Sequence, residues 1–236
     1  MLRRPFSIGG IRRGDGRVEI ELMGRIVGPG TAWLDSRREG DDVDILGPLG
    51  RGFSRQIKTA TALLVAGGVG LPPIRWLSEI LHENGVFCEF YFGAQRADLI
   101  PFRLSAPPAT DGSAMLCTAK DAMISCPVSV STDDGSCGFP GRVTDALQRR
   151  IERANKQEPV RVLACGPEPM LHAVASLCAS RGIECEVALE RVMGCGMGTC
   201  QSCVVSLQGD ALGRKYGLCC RDGPVFDATK VVWGKL

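Results

Sequence analysis

Ala62-Leu63-Leu64-Val65-Ala66-Gly67-Gly68-Val69-Gly70-Leu71-Pro72-Pro73 decides how this chain folds. A short apolar run ending on glycine suits a strand buried on both faces, as in a parallel sheet. The glycines make a tight turn. The proline pair suits the first turn of a helix, where a missing N–H would be unpaired in any case, and the helix is predicted to run to about Glu83. A helix N-terminus offers unpaired N–H groups and a positive dipole end to a phosphate, and Gly67, Gly68 and Gly70 would let a pyrophosphate approach the backbone. The run is not G-x-G-x-x-G, and taken alone a structural tight turn explains it about as well.

Outward from that unit, the pattern keeps alternating between strand and helix. Strands are predicted over residues 86–92, 114–119, 124–131, 160–165 and 183–189. Helices are predicted over 143–156, with Thr144 and Asp145 at its start, and over 167–180. This is the pattern of a doubly wound, mostly parallel sheet with helices on its faces. A second glycine turn, Ala164-Cys165-Gly166-Pro167-Glu168-Pro169-Met170, again joins a strand end to a helix start. Ligands of open α/β sheets collect beyond the carboxyl ends of the strands, so two such turns on one edge suit a dinucleotide. Cys165 either touches a nicotinamide ring or is a small residue under the turn.

Residues 1–52 read differently, as all-β material. Residues 17–22 and 41–46 alternate as half-buried strands do, Gly28-Pro29-Gly30 reads as a turn, and Gly47-Pro48-Leu49-Gly50 closes the region. Arg4-Pro5-Phe6-Ser7 stands near the start. Arginine can hold a pyrophosphate oxygen with its fork, a serine hydroxyl can bond a flavin ring atom, and Phe6 can stack on an aromatic ring. An ordinary basic N-terminus is the plainer reading of the same residues.

Beyond residue 188, Cys195, Cys200, Cys203 and Cys220 stand in the spacing C-x4-C-x2-C-x16-C, the plant-type ligand pattern of a 2Fe–2S cluster. Gly194, Gly196 and Gly198 flank the first two and allow backbone N–H groups to turn toward anionic sulfur. A hairpin over residues 204–218, with Gly209-Asp210 as its turn, would bring the fourth ligand. Cys219 and Cys220 are adjacent and point to opposite faces in a strand, and spacing does not choose between them. A structural zinc site is the rival, but such sites pair their cysteines as two short C-x2-4-C units. The other cysteines (Cys88, Cys117, Cys126, Cys137, Cys165, Cys178, Cys185) are scattered and read as small buried hydrophobes.

Composition bounds the rest. A length of 236 residues allows one to three domains, and a net charge of +2 without a basic run gives no nucleic-acid footprint. The longest apolar stretch, residues 61–71, is too short to span a bilayer. No signal-peptide pattern opens the chain. A cytoplasmic protein without membrane attachment is expected. Two histidines, His82 and His172, argue against histidine-based metal or triad chemistry.

Together these motifs resemble the ferredoxin-reductase superfamily, which joins an FAD-binding β-barrel carrying R-P-x-S to an NAD-binding α/β domain with G-G-x-G and C-G-P turns. Within it the chain resembles the electron-transfer subunits of B-type, NAD-dependent dihydroorotate dehydrogenases. The marks are residues 189–200 (LERVMGCGMGTC), 220–226 (CRDGPVF), 44–53 (DILGPLGRGF) and 132–145 (TDDGSCGFPGRVTD). The resemblance implies a mixed β and α/β fold in three parts: a partial FAD-binding β-barrel over 1–53, an NAD-binding doubly wound parallel sheet over 54–188 and a small 2Fe–2S domain over 189–236. The barrel is expected to be partial because R-P-x-S begins at residue 4, whereas the family places it after the first barrel strands.

The resemblance also implies Cys220 as fourth cluster ligand. It implies FAD held by Arg4, Pro5, Phe6 and Ser7, by Met23-Gly24-Arg25 and by Gly30-Thr31, with Arg25 facing the phosphates. Gly24 departs from the bulkier residue expected before that arginine. NAD would lie on Gly67, Gly68 and Gly70 and on Cys165, Gly166 and Pro167. The implied partner is an FMN-containing dihydroorotate dehydrogenase catalytic subunit, in a heterotetramer. Electrons would pass from that subunit through the cluster and FAD to NAD, in pyrimidine biosynthesis. No general acid or base is expected, since the cofactors carry the chemistry. A related flavin and 2Fe–2S reductase subunit of a sulfide dehydrogenase, transhydrogenase or hydrogenase complex is the second reading. A zinc-binding scaffold descended from such a reductase is the third.

Overall fold

The computed structural model describes residues 3–57, 60–115, 124, 126–154, 158–209, 213 and 215–234. Strands β1 (Ile8–Gly14) and β2 (Arg17–Leu22) open it, followed by a short helix α1 (Pro29–Asp35). The large sheet then begins: β3 (Thr61–Gly67), α2 (Leu71–Glu83), β4 (Cys88–Ala94), β5 (Val128–Thr132), β6 (Phe139–Pro140), α3 (Val143–Arg153), β7 (Val160–Cys165), α4 (Glu168–Arg181) and β8 (Glu184–Ala188). A small hairpin, β9 (Val204–Ser206) with β10 (Tyr216–Leu218), precedes the last strand, β11 (Val225–Asp227).

Seven strands form one sheet in the order β11-β8-β7-β3-β4-β5-β6. All pairings are parallel except β11 with β8. The central strands are buried on both faces, and their side chains alternate between two cores. Leu63 and Val65 of β3 join the core under α3 and α4, while Ala62, Leu64 and Ala66 join the core under α2. In α2 the buried residues Leu71, Ile74, Leu77, Ser78 and Leu81 recur at helical spacing. The helix stops where Gly85 takes φ +71° and the Asn84 side-chain amide donates to the Ile80 carbonyl at 2.7 Å. The fold class expected from the sequence is borne out.

Residues 3–57 depart from the all-β expectation in two places. Pro29 is not within a turn but is the first residue of α1, and Thr31 Oγ1 accepts from the N–H groups of Val27 (2.9 Å) and Gly28 (3.2 Å). Residues 41–46 form no strand; their alternating pattern finds no surface to bury against, and Val43, Ile45 and Leu46 stay exposed. Conversely, β1 was not anticipated. It pairs antiparallel with β2 across Asp15-Gly16, whose positive φ values of 49° and 73° are those of a tight hairpin turn.

Other differences are smaller. Of the strand expected over 114–119, Met115 makes an isolated antiparallel bridge to Val128, Ala114 is in no strand, and residues 116–119 lie outside the described residues. Helix 143–156 ends at Arg153, with residues 155–157 outside them. Asp210, in the expected hairpin turn, also lies outside them, as does Cys117.

Two joints hold the parts together. Arg75, buried in α2, donates to the Gly9 carbonyl (2.6 Å) and to Glu21 (2.8 Å), pinning the β1–β2 hairpin onto the helix. The cluster segment is joined to the large sheet through β11, and Arg51 N–H donates to the Gly223 carbonyl at 2.5 Å.

Candidate functional site

Two chemically distinct places stand out, beginning with the thiols. Gly196 and Gly198 adopt φ +74° and +82°, and the loop they shape curls around Cys195. Its sulfur accepts the N–H groups of Met197 (3.3 Å) and Cys200 (3.4 Å), which hold the Cys195 pKa below the ordinary thiol value. Cys200 Sγ lies 3.2 Å from Ser202 Oγ. The Ser202 hydroxyl and N–H, followed by Cys195, bring the Cys200 pKa down to about 6. Ser202 Oγ also accepts from Gly194 N–H (3.0 Å), and its one hydroxyl proton has the Val192 carbonyl (3.2 Å) as an acceptor when the Cys200 sulfur does not take it, so it ties the loop to the thiol. Sequence reasoning missed this serine; its position two residues after a cysteine ligand candidate was the available signal.

Cys203 and Cys220 form a second pair: the Cys219 N–H donates to the Cys203 carbonyl at 3.0 Å, and the Cys203 side chain is close enough to act on the Cys220 thiol. Burial and then the Cys203 contact push Cys220 up, and Cys195 is close enough to act on it as well. Cys219 turns the other way. Its thiol donates to the Leu189 carbonyl at 3.7 Å, and burial raises its pKa to about 12. The adjacent cysteines therefore face different environments, Cys220 toward Cys203 and Cys195 and Cys219 toward the Leu189 carbonyl in the core.

Among the described residues, no group of three or more His, Cys, Asp or Glu side chains is drawn together as a single metal ion needs. Zinc would require four sulfurs about 2.3 Å from one centre. Two adjoining pairs fit a two-iron core better, because each iron takes two thiolates. The N–H and O–H cradle around Cys195 and Cys200 favours anionic sulfur in the way such a cluster requires.

The second place is the carboxyl edge of β3 and β7. There the two glycine turns press against each other. A Cβ on Gly70 would lie 2.1 Å from the Cys165 carbonyl oxygen, and one on Gly166 would lie 3.2 Å from Gly67 Cα. Met170 packs across both turns, its Sδ 2.7 Å from a Cβ built on Gly67 and its Cε 2.6 Å from one on Gly166. Pro167 Cδ closes on Gly67 at 3.1 Å. By contrast, a Cβ on Gly68 meets nothing within 4 Å, so the turn is tight inside and open outside, as a phosphate-binding turn needs to be. Cys165 is 4% exposed, and burial, then the Glu190 charge, raises its thiol to about 12; it remains neutral.

The N-terminal candidates also gather. The Arg4 side chain lies along Gly30, with Cγ 3.1 Å from a Cβ position there, and the Phe6 ring lies 2.9 Å from one on Gly24. The missing side chain at Gly24 is thus the space that Phe6 fills. Met23 is half-buried against the α2-side core, Thr31 braces the start of α1, and Pro5, Ser7 and Arg25 are exposed. The segment around Leu46 and Leu49 bridges this region to the cluster loop, with Leu49 Cδ1 3.0 Å from a Cβ position on Gly196.

These sites on this fold define an NAD-linked iron–sulfur oxidoreductase of the ferredoxin-reductase type. Residues 190–232 match the family described as "Iron-sulfur cluster binding domain of dihydroorotate dehydrogenase B", and residues 64–176 match "Oxidoreductase NAD-binding domain". The chain is 32% identical to the dihydroorotate dehydrogenase B (NAD(+)) electron transfer subunit of Desulforamulus reducens, over 99% of this chain and 81% of that one. It is 37% identical to the subunit of the same name from Bacillus caldolyticus, over 98% and 80%. A solved structure described as an NADH-dependent reduced ferredoxin–NADP oxidoreductase, studied for flavin-based electron bifurcation, superimposes with TM-score 0.77 at 27% identity, covering 98% of this chain and 75% of that one. The chain belongs to the family of electron transfer subunits of dihydroorotate dehydrogenase B. It is an oxidoreductase subunit that carries an iron–sulfur domain and an NAD-binding domain. Among the described residues no helix is long and apolar enough to cross a membrane.

Proposed function

We propose that this chain relays electrons between an FMN-containing dihydroorotate dehydrogenase catalytic subunit and NAD, as the smaller half of a cytoplasmic heterotetramer in pyrimidine biosynthesis. The observation that carries this reading is the paired arrangement of four thiols inside a cradle of N–H and O–H donors. Cys195 and Cys200 would hold one iron of a 2Fe–2S cluster, and Cys203 and Cys220 the other. Residues 1–53, 54–188 and 189–236 serve as the flavin, NAD and cluster parts.

When bound, the cluster exchanges electrons singly and FAD singly or in pairs, which matches a two-electron donor to hydride delivery onto NAD. The chain's own residues bind and tune. The N–H groups of Met197 and Cys200 and the Ser202 hydroxyl stabilise anionic sulfur at Cys195 and Cys200. Arg4 and Arg25 offer guanidinium forks to the FAD pyrophosphate. Pro5, Phe6, Ser7, Met23, Gly24, Gly30 and Thr31 wall the flavin. Gly67, Gly68, Gly70, Gly166 and Pro167 let NAD approach the backbone, and the neutral Cys165 underlies the turn. Exposed Leu46, Leu49 and Met197 beside the cluster loop give an apolar face for the catalytic subunit.

The test is replacement of each thiol in protein prepared anaerobically with its partner. Cys200→Ser and Cys220→Ser should lose the visible cluster spectrum with its iron and acid-labile sulfide, and Cys219→Ser should keep them. A full cluster in Cys220→Ser would reject the ligand set. A co-purifying FMN protein that oxidises dihydroorotate supports this partner. A different flavoprotein would instead favour a reductase subunit of another complex, a reading motivated by the likeness over 98% of the chain to the bifurcating oxidoreductase.

A further inference from the structure

Residues 189–194 run from the end of β8 to Cys195, the first thiol of the cradle, and form neither helix nor strand. Side chains and single backbone bonds therefore fix where the thiol loop begins. The Leu189 N–H donates to the Pro224 carbonyl at 2.9 Å, and Met193 lies half-buried against the core under α3 and α4. Glu190 and Val192 are exposed. Between them Arg191 turns inward, its side chain 13% exposed.

Arg191 reaches back to the nucleotide domain. Its Nη1 donates to Glu168 Oε2 at 2.8 Å and its Nη2 to Glu168 Oε1 at 3.2 Å, a two-pronged grip. Nη1 also donates to the Glu190 carbonyl at 2.7 Å. Glu168 is a firm post. It is the first residue of α4, where the helix dipole favours a carboxylate, and it directly follows the Cys165-Gly166-Pro167 turn. Arg191 Nε is buried and meets no partner among the described residues. An ion pair that leaves a buried donor orphaned adds little net stability; what it fixes is geometry.

The grip continues into the cradle. Directly after Arg191, the Val192 carbonyl (3.2 Å) and the Gly194 N–H (3.0 Å) both meet Ser202 Oγ, which lies 3.2 Å from Cys200 Sγ. An unbroken series of contacts thus runs from the NAD-side turn to a cluster thiol: Glu168, Arg191, the backbone of 192–194, Ser202 and Cys200.

Resting on the cluster reading above, we propose that Arg191 and Glu168 are positioning residues for electron transfer: their grip holds the Ser202 hydroxyl at Cys200 and so raises the reduction potential of the bound cluster. Hydrogen bonds to the sulfurs are among the levers that set such a potential. A donor to sulfur favours the reduced state, because that state carries one more negative charge. With the grip released, residues 192–194 lose their inward anchor, the hydroxyl moves off the sulfur, and the potential falls. The sign separates this from a simple charge effect. Glu168 and Arg191 both act electrostatically on Cys219, beside the fourth ligand. Deleting the Glu168 charge would by Coulomb's law alone favour the reduced cluster; loss of positioning disfavours it.

The experiment is an anaerobic redox titration of the cluster's visible absorption in the full chain with its cofactors, with iron and acid-labile sulfide measured on the same samples. Glu168→Gln should make reduction about tenfold less favourable, a fall of about 59 mV for one electron. Arg191→Lys, which keeps the charge and loses the fork, should make it about threefold less favourable. In a Ser202→Ala background, Glu168→Gln should change the equilibrium by less than about twofold, because the group it positions is gone. An unchanged or raised potential in Glu168→Gln overturns this inference and leaves the cluster standing, as does an undiminished effect without the Ser202 hydroxyl. Were Glu168→Gln to lose its iron, an unchanged potential in Arg191→Lys overturns the inference equally. A wild type without iron and acid-labile sulfide overturns the cluster reading as well.

Discussion

The α/β core buries the apolar side chains of its strands, whereas the N-terminal hairpin leaves those of β2 at the surface. In β3, residues 62–67 are all buried, and Leu63, Leu64 and Val65 have no exposed surface. In β2, Val18, Ile20 and Leu22 are exposed by 56%, 46% and 37%. The core holds itself through interlocking faces of a wide sheet. The hairpin, a two-stranded sheet on its own among the described residues, is held mainly through one buried arginine on α2. Stability therefore resides in the nucleotide domain, and the flavin region depends on what it is docked against.

The largest effect expected from breaking this contrast comes from Gly70→Val. With the Cys165 carbonyl 2.1 Å from the nearest Cβ position, a side chain there must separate the β3 and β7 turns. The cost should be at least about 4 kcal/mol in urea unfolding, with loss of nucleotide binding. Next comes Leu64→Ala, which empties a fully buried site and should cost about 3 kcal/mol. Its counterpart Ile20→Ala should cost less than about 0.5 kcal/mol. Comparable losses at the two positions would mean that the outer face of β2 is covered in the working protein, and the contrast would have to be redrawn.

A smaller and more local effect is expected at the joint. Arg75→Met removes both the bond to Gly9 and the bond to Glu21, and it deprives Glu79, whose pKa burial already raises, of the stronger of the two cations acting on it. A loss of about 2 kcal/mol is reasonable for two bonds to a charged, buried donor beside a partly exposed carboxylate. It should appear as about 30-fold faster amide exchange in β1 and β2, with β3 and β4 unchanged. Uniform acceleration across the sheet would show that the hairpin is part of the core's cooperative unit.

The same contrast governs how much could be read from the chain. The strand–turn–helix units of the core were legible because burial on both faces leaves a continuous apolar run, and glycine and proline mark the ends. Residues 41–46 misled because alternation registers only the capacity to be half-buried; among the described residues no strand pairs with them, and Ile45 is 61% exposed. β1 was passed over because Gly9 and Gly10 dilute its pattern. Those glycines are needed where Pro72, Arg75 and Glu21 come within 3.0–3.2 Å of a Cβ position. β11, only three residues long, depends on a distant edge strand that no local pattern reveals. Of the candidate sites, cysteine spacing marked the thiols but could not choose between Cys219 and Cys220, because facing depends on the turn that precedes them. Ser202 was equally hidden, since its role follows from which backbone groups it meets.

Two cysteines of the cluster segment, Cys200 and Cys219, repeat the contrast on the smallest scale. In iron-free protein, Cys200 has its pKa lowered to about 6 by the Ser202 hydroxyl and N–H, and Cys219 has its own raised to about 12 by burial. Only a thiolate is alkylated at an appreciable rate. Iodoacetamide labelling of Cys200 should therefore rise with a midpoint near pH 6. Cys219 should stay unlabelled at every pH at which the fold persists. The linkage has a definite sign. A thiol pKa depressed in the folded state favours folding above the ordinary value of 9.0 and loses that contribution as pH falls through about 6. Iron-free protein should thus become more stable between those limits, and Ser202→Ala should flatten the rise while moving the labelling midpoint upward. Equal labelling of Cys200 and Cys219 would mean that the loop does not hold its cradle without iron, and that the cluster orders the site it occupies.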